Sequence, residues 1–359
     1  MTTEPITGTA VVSEVHGSIR DLTGTSSETL SARKAAVLRA VVEGYISTTQ
    51  PVGSSHVSEI ADLGVSPATV RNEMLALEQA GYLSQPHTSA GRIPTQKGYR
   101  HFVDSLTDVS GTLGRSEHKQ VRAFFDTTHK ELEQMLADTS ALLADLTAYA
   151  ALVVAPQHSS TAIRSVNLVD LSERLILALV VYENGSVDKR TIEMDRPADV
   201  VDLARAAAAL TEFLAGRPAS ALRDRGAAAR LSPLAARIMG SLADLSDAEE
   251  QLYVGGAASV AGLFDATDTV RSVLGILEKQ LVVVSLVRDI LDRGLTVAIG
   301  SETGVAPLAE CSLIVAPYEV AGRPVGSIGV LGPTRMNYPQ ALAAVAVVSQ
   351  KLGDRLSSI

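Results

Sequence analysis

The sequence predicts an α+β protein of more than one domain, and three observations carry that reading. Residues 31–110 read as helices followed by a strand–loop–strand, residues 111–150 as a long helical stretch, and from residue 151 short β-rich segments alternate with amphipathic helices. At 359 residues and 37.6 kDa the chain exceeds one ordinary core, and a hydrophobic fraction of 46% is ample for globular folding.

Charge and composition exclude several classes. A formal net charge of −9 argues against indiscriminate coating of nucleic acid or membrane, yet leaves room for a local basic site. Apolar runs such as "LILALVV" (175–181) and "LVVVSLV" (281–287) fall well short of the roughly 20 residues a bilayer crossing needs, so no membrane span is expected. Residues 1–30 are rich in Ser, Thr and Gly, lack a basic start leading into an apolar core, and are expected to be a disordered extension rather than a signal peptide. Cys311 is the only cysteine, which precludes an intramolecular disulfide and fits the cytoplasm; its strand-like context "AECSLIVAP" predicts a buried structural thiol.

The elements follow in order. "SARKAAVLRAVVEGYISTTQPVGS" places Leu38, Val41, Val42, Tyr45 and Ile46 on one helical stripe, stopped by Pro51 and Gly53. A short helix spans about Ser55 to Asp62. The next has Ser66 as N-cap and Pro67 at its first position, and ends at Gly81 as a left-handed cap. "YLSQPHTSAGRIPT" reads as strand, loop, strand and "QKGYRHFVDSL" as a closing helix. This order is that of a winged helix-turn-helix, so residues 31–110 are expected to be a DNA-binding domain, although small helical domains with a hairpin have other uses.

Residues 111–150 read as a helical linker whose Val121, Phe125, Thr128, Leu132, Met135, Thr139, Leu142, Leu146 and Tyr149 keep heptad spacing, either as a packing stripe or as a dimer seam. Beyond it, "ALVVAP", "IRSVNLVDL", "RLILALVVY" and "SVDKRTIEM" predict a β-meander, followed by the amphipathic helix in "ADVVDLARAAAALTEFLAG". A helix over about 267–293, the strands "LTVAIG", "CSLIVAPYEV" and "PVGSIGVLGP", and a last helix from Tyr338 to about Leu352 complete the pattern. Segments 151–216 and 260–359 are expected to form one GAF-like α+β domain, with 217–259 as a helical insertion.

In the helix 67–80, Val70, Met74 and Leu77 share the inward side, leaving Ala68, Asn72 and Gln79 outward with Thr69 and Arg71 on the flanks. Asn pairs with adenine and Arg with guanine in the major groove, and the helix start at Ser66 favours a phosphate. From Pro86 to His101, Arg92, Lys97 and Arg100 are basic and no carboxylate occurs. A hairpin so charged, with His87, Thr88 and Ser89 at its loop, suits contact with a DNA backbone. The DNA-binding candidates are therefore Ser66, Ala68, Thr69, Arg71, Asn72, His87, Thr88, Ser89, Arg92, Lys97 and Arg100. So few cations make one domain a weak binder, which a dimer on two half-sites would remedy.

No catalytic constellation, P-loop, GxSxG or zinc-like Cys/His spacing occurs, and His118 with His129 lack a third ligand, so neither an enzyme nor a metal site nor a cofactor is expected. "GVLGPTRMNYP" (329–339), with Gly329, Gly332 and Arg335, reads as a tight strand-to-helix turn, with a phosphate cradle as the alternative.

Two stretches together, "PVGS…LGVSPATVRNEMLALEQAGYLSQPHTSAGRIPTQKGYRHFVD" (51–104) and "APYEVAGRPVGSIGVLGPTRMNYPQALAAV" (316–345), resemble the HrcA family of heat-inducible transcription repressors. The resemblance covers about residues 31–359. It implies a homodimer of winged-helix, GAF-like and inserted dimerisation domains that binds double-stranded DNA at an inverted-repeat operator, the CIRCE element, ahead of chaperone operons, with activity modulated by chaperonin. The chain departs from the family pattern in its thirty-residue extension and in "SHVSEIAD", where relatives often carry a basic residue. The competing expectation is a ligand-sensing, GAF-type regulator controlled by a small molecule.

Overall fold

The computed structural model describes residues 30–358 except 61–63, 87–90, 107–111, 128–130, 157–161, 184, 186, 198, 225, 227–229, 244–250, 265, 295 and 321. The expected extension and the candidates His87, Thr88 and Ser89 therefore lie outside the described residues. The chain divides into two compact units, the first ending at Ser105 apart from the short segment that begins at Asp292, and the second holding the rest from Leu106 on.

The first unit opens with α1 (Ala32–Thr48), capped by the Ser31 side chain accepting from the Lys34 amide. Its stripe Val37, Leu38, Val41 and Val42 is buried, while Tyr45 and Ile46 are half-buried. α2 (Ser54–Ile60) and α3 (Pro67–Gln79) follow, and Val70, Met74 and Leu77 of α3 face the core as their spacing predicts. α3 ends in paired bonds from the Gly81 amide to the Glu78 carbonyl and from the Tyr82 amide to the Leu77 carbonyl. That arrangement needs the left-handed φ of +79° at Gly81, which glycine adopts without a Cβ clash.

The strands β1 (Leu83–Ser84) and β2 (Ile93–Pro94) pair antiparallel, Leu83 with Pro94 and Ser84 with Ile93. α4 (Gln96–Asp104), capped by Thr95, lays Tyr99, Phe102 and Val103 into the core.

In the second unit, α5 (Arg115–Thr127) and α6 (Leu132–Thr147) occupy the stretch expected to be a linker. Their heptad stripe is not left for a partner: Val121, Phe125, Met135, Leu142 and Leu146 are buried within this unit. The two threonine hydroxyls within α6, those of Thr139 and Thr147, bond to the carbonyls of Met135 and Leu143. A stripe that finds its partners inside the unit makes α5 and α6 part of its body.

The central sheet has the order β7-β3-β10-β9-β8, antiparallel throughout, from β3 (Ala150–Val154), β7 (Leu252–Gly255), β8 (Val297–Ile299), β9 (Cys311–Val320) and β10 (Arg323–Pro333). α9 (Thr267–Leu277), α10 (Gln280–Asp292) and α11 (Tyr338–Ser357) belong to this part of the chain, so the single helix expected over 267–293 is two. Cys311 is buried in β9, as expected of a structural thiol, and burial with the nearby Glu310 carboxylate pushes it up to about 12.

The expected meander belongs elsewhere. β4 (Ile163–Ser172), β5 (Leu175–Tyr182) and β6 (Val187–Glu193) form a separate three-stranded sheet, β4-β5-β6. Its inner residues Val166, Ile176, Ala178 and Val180 share a core with Leu203, Ala206 and Leu210 of α7 (Val200–Leu214) and Ile238 and Met239 of α8 (Pro233–Leu242). This corrects the expected boundaries: the insertion runs from β4 to α8, not over 217–259, and Leu252–Gly255 is a strand of the central sheet. The chain leaves that sheet after β3 and returns at β7, the strand hydrogen-bonded beside it, with Val154 opposite Leu252. Strand alternation reveals which face is buried but not which sheet covers it, so the pattern read equally well as one continuous sheet.

The glycine-rich turn is structural. Arg335 donates to the Leu263 carbonyl, the Asn337 amide donates to the Tyr149 hydroxyl, and the Tyr149 ring lies against Gly332. Among the described residues no helix is long and apolar enough to cross a membrane, and no three His, Cys, Asp or Glu converge as a metal-binding group.

Candidate nucleic-acid interface

The candidate surface is built by α3. Burial of Val70, Met74 and Leu77 fixes the rotation of the helix, which leaves Ala68, Arg71, Asn72, Leu75 and Gln79 exposed on the opposite side and Thr69 half-buried at its edge. Ser66 is spent on capping: its Oγ accepts from the Thr69 amide at 3.2 Å, with Pro67 at the first helical position. A backbone start so ordered keeps the remaining amide dipoles directed outward. Leu75, 46% exposed, is an apolar member of this face that the hydrogen-bond reading of the sequence passed over. Its signal was the helical spacing from Ala68 and Arg71.

The three cations of residues 86–101 are placed differently from expectation: Arg92 stands just before β2, whereas Lys97 and Arg100 lie on α4. Arg92 turns to α3, where its Nε donates to Glu78 Oε2 at 2.9 Å and a terminal nitrogen lies 2.9 Å from the same oxygen. Lys97 Nζ donates to the Ala80 carbonyl at 2.9 Å and stands 4.3 Å above the Tyr82 ring. Arg100 pairs with Asp104 one turn on, at 3.3 Å. The charge excess of residues 86–101 is thus engaged within the unit: Lys97 closes the C-terminal end of α3, and Arg92 neutralises a carboxylate on the same helix. Glu78 and Asp104 lie outside residues 86–101, and the fold brings them to Arg92 and Arg100. Glu73 of α3 is similarly accompanied by Arg33 at 3.9 Å.

The structure therefore brings Ser66, Ala68, Thr69, Arg71 and Asn72 together on one helix, and sets Arg92 and Lys97 against that helix's C-terminal half. Arg100 sits on α4.

Comparison with known proteins decides the relationship. A family model described as the HrcA protein C-terminal domain matches residues 133–342. The heat-inducible transcription repressor HrcA of Pelotomaculum thermopropionicum is 36% identical over 347 residues, covering 92% of this chain and 98% of that protein.

The chain belongs to the HrcA family.

Other HrcA relatives agree: the repressor of Nocardia farcinica is 37% identical, covering 93% of this chain and 99% of its own, and that of Rhodococcus jostii 38% identical, covering 90% and 98%. A crystal structure described as that of a hypothetical protein at 2.2 Å superposes with a TM-score of 0.62 at 24% identity, covering 92% of this HrcA-family chain and 99% of its own. That likeness shows a shared fold.

Proposed function

We propose that the chain is a transcription repressor that reads DNA with α3 of a winged helix-turn-helix domain. The observation that carries the reading is the α3 face, where Arg71 and Asn72 stand exposed beside the small Ala68 above a fully buried Val70 and Leu77. Small residues let the helix enter a groove, and the two polar side chains supply the donors and acceptor that base edges require. The names of the relatives, heat-inducible transcription repressor, support the same reading.

In this reading the repressor works as a homodimer on an inverted-repeat operator of the CIRCE type ahead of chaperone genes. With Arg92 paired to Glu78 and Arg100 to Asp104, little of the charge excess of residues 86–101 remains for phosphates, which strengthens the need for two half-sites. The inserted module offers a surface for pairing. On the open face of its sheet the central strand presents the half-buried Leu175, Leu177, Leu179 and Val181. Val169 lies opposite Leu177 and Val187 opposite Val181, and these flanking valines are 42% and 48% exposed. This apolar strip, flanked by Asn167, Lys189 and Thr191, is a surface on which a second copy would pack about a two-fold axis.

The test is binding to inverted-repeat duplexes in a gel shift. A single dimer complex that weakens with salt is expected, and Arg71→Ala should lower affinity roughly tenfold, in line with about 1–3 kcal/mol for a base contact; unchanged affinity would remove Arg71 from the interface. Chaperonin enters the reading as the factor that restores DNA-binding activity after heating, and equal operator binding with and without it, before and after heat, would exclude that role.

A further inference from the structure

We propose that Arg92 is a positioning residue: its ion pair with Glu78 clamps the returning arm of the hairpin to the reading helix, and DNA affinity depends on that clamp rather than on a phosphate contact by Arg92. The inference rests on the DNA-reading role of α3 proposed above.

The hairpin needs such a fastening. Its ladder is two residue pairs long, and a two-stranded ribbon of that length has no independent stability in water. Three attachments of the returning arm meet at one place. The Arg92 amide donates to the Val52 carbonyl and the Val52 amide to the Arg92 carbonyl, both at 2.9 Å. Gly91 packs so closely on Val52 that a Cβ there would run into the Val52 carbonyl. The Arg92 guanidinium then reaches Glu78 with two nitrogens on one carboxylate oxygen, the side chains being only 17% and 28% exposed. The backbone bridge holds the arm to the segment before α2, and the ion pair holds it to α3. Together they set where the hairpin stands relative to the base-reading face. Partial burial makes the pair stiffer and less screened than a surface ion pair.

The test uses the full-length protein and a palindromic duplex recovered by the wild-type chain from a random-sequence pool. Affinity is measured by fluorescence anisotropy across a salt series, with unfolding midpoints recorded for every variant. Arg92→Ala and Glu78→Gln are both expected to weaken binding about tenfold with the salt slope unchanged, because orientation and not a phosphate contact is lost. The reversed pair Glu78→Arg/Arg92→Glu should recover to within about threefold of wild type. Arg92→Lys, which keeps the charge but loses the two-nitrogen contact, should bind about fivefold more weakly at unchanged slope, and it keeps the test open should Arg92→Ala unfold. A salt slope smaller by about 0.9 in Arg92→Ala, or tighter binding by Glu78→Gln, would mark Arg92 as a phosphate contact and overturn the clamp. Failure of the wild-type chain to recover any duplex would instead overturn the DNA-reading role itself.

Discussion

Leu77 and Arg71 lie on opposite sides of one helix and should respond to substitution in opposite ways. Leu77 is fully buried, so Leu77→Ala removes packing and leaves a cavity, costing about 2–5 kcal/mol in denaturant unfolding. Arg71 is exposed, so Arg71→Ala should leave the unfolding midpoint within about 0.5 kcal/mol of wild type while affinity for DNA falls. Both placements, Leu77 inward and Arg71 outward, were legible from the helical period, because burial follows spacing. The role of Arg92 was not, because its partner Glu78 lies 14 residues away and only the folded hairpin brings them together. His101 adds a pH response at this scale. Burial lowers its pKa below the usual 6.5, partly offset by Asp104, so the folded state favours the neutral imidazole. The unfolded chain then binds more protons, and stability should fall as pH drops through about 6.5 and below. Melting the protein between pH 7.5 and 5.5 checks this, with His101→Gln expected to flatten the dependence.

Among the elements, the end of α3 and the edge of the inserted sheet carry the clearest expectations. Gly81→Ala forces a Cβ into a left-handed conformation and should cost about 1–2 kcal/mol, visible as a lower melting temperature. At the other site the Thr211 hydroxyl accepts from the Val166 amide at 2.9 Å and donates to the Val166 carbonyl at 3.1 Å, closing the edge of β4 with a side chain from α7. Thr211→Val keeps the shape but orphans both groups, and a loss of about 1–3 kcal/mol is expected from thermal unfolding. The existence and order of most elements could be read in advance, since Ser66, Pro67 and Gly81 announce their helix through local backbone chemistry. The short strand Leu252–Gly255 could not, because four residues with half their side chains only partly buried leave almost no period to detect.

For the whole molecule, the inserted module has a core of its own between two strands that are neighbours in the central sheet. Replacing residues 155–251 with a short glycine linker should therefore leave a folded protein with native-like circular dichroism per remaining residue. If the open β5 face joins two copies, the shortened chain sediments as a monomer and loses most of its operator affinity, and Leu177→Glu in the full chain does the same. A dimer that survives both changes would place the pairing surface elsewhere. Composition, periodicity and caps were enough to establish an α+β chain, a helix-rich N-terminal domain with a hairpin, the inward and outward faces of α3 and a buried Cys311, because each is a property of neighbours along the chain. Tertiary structure alone decided that the buried residues of the 121–146 stripe pack inside their own unit, that the β4–β6 meander is a separate sheet, and that Arg92 is paired with Glu78. Those outcomes depend on which surfaces meet across tens or hundreds of residues, and a periodic pattern records that a face is covered without recording by what.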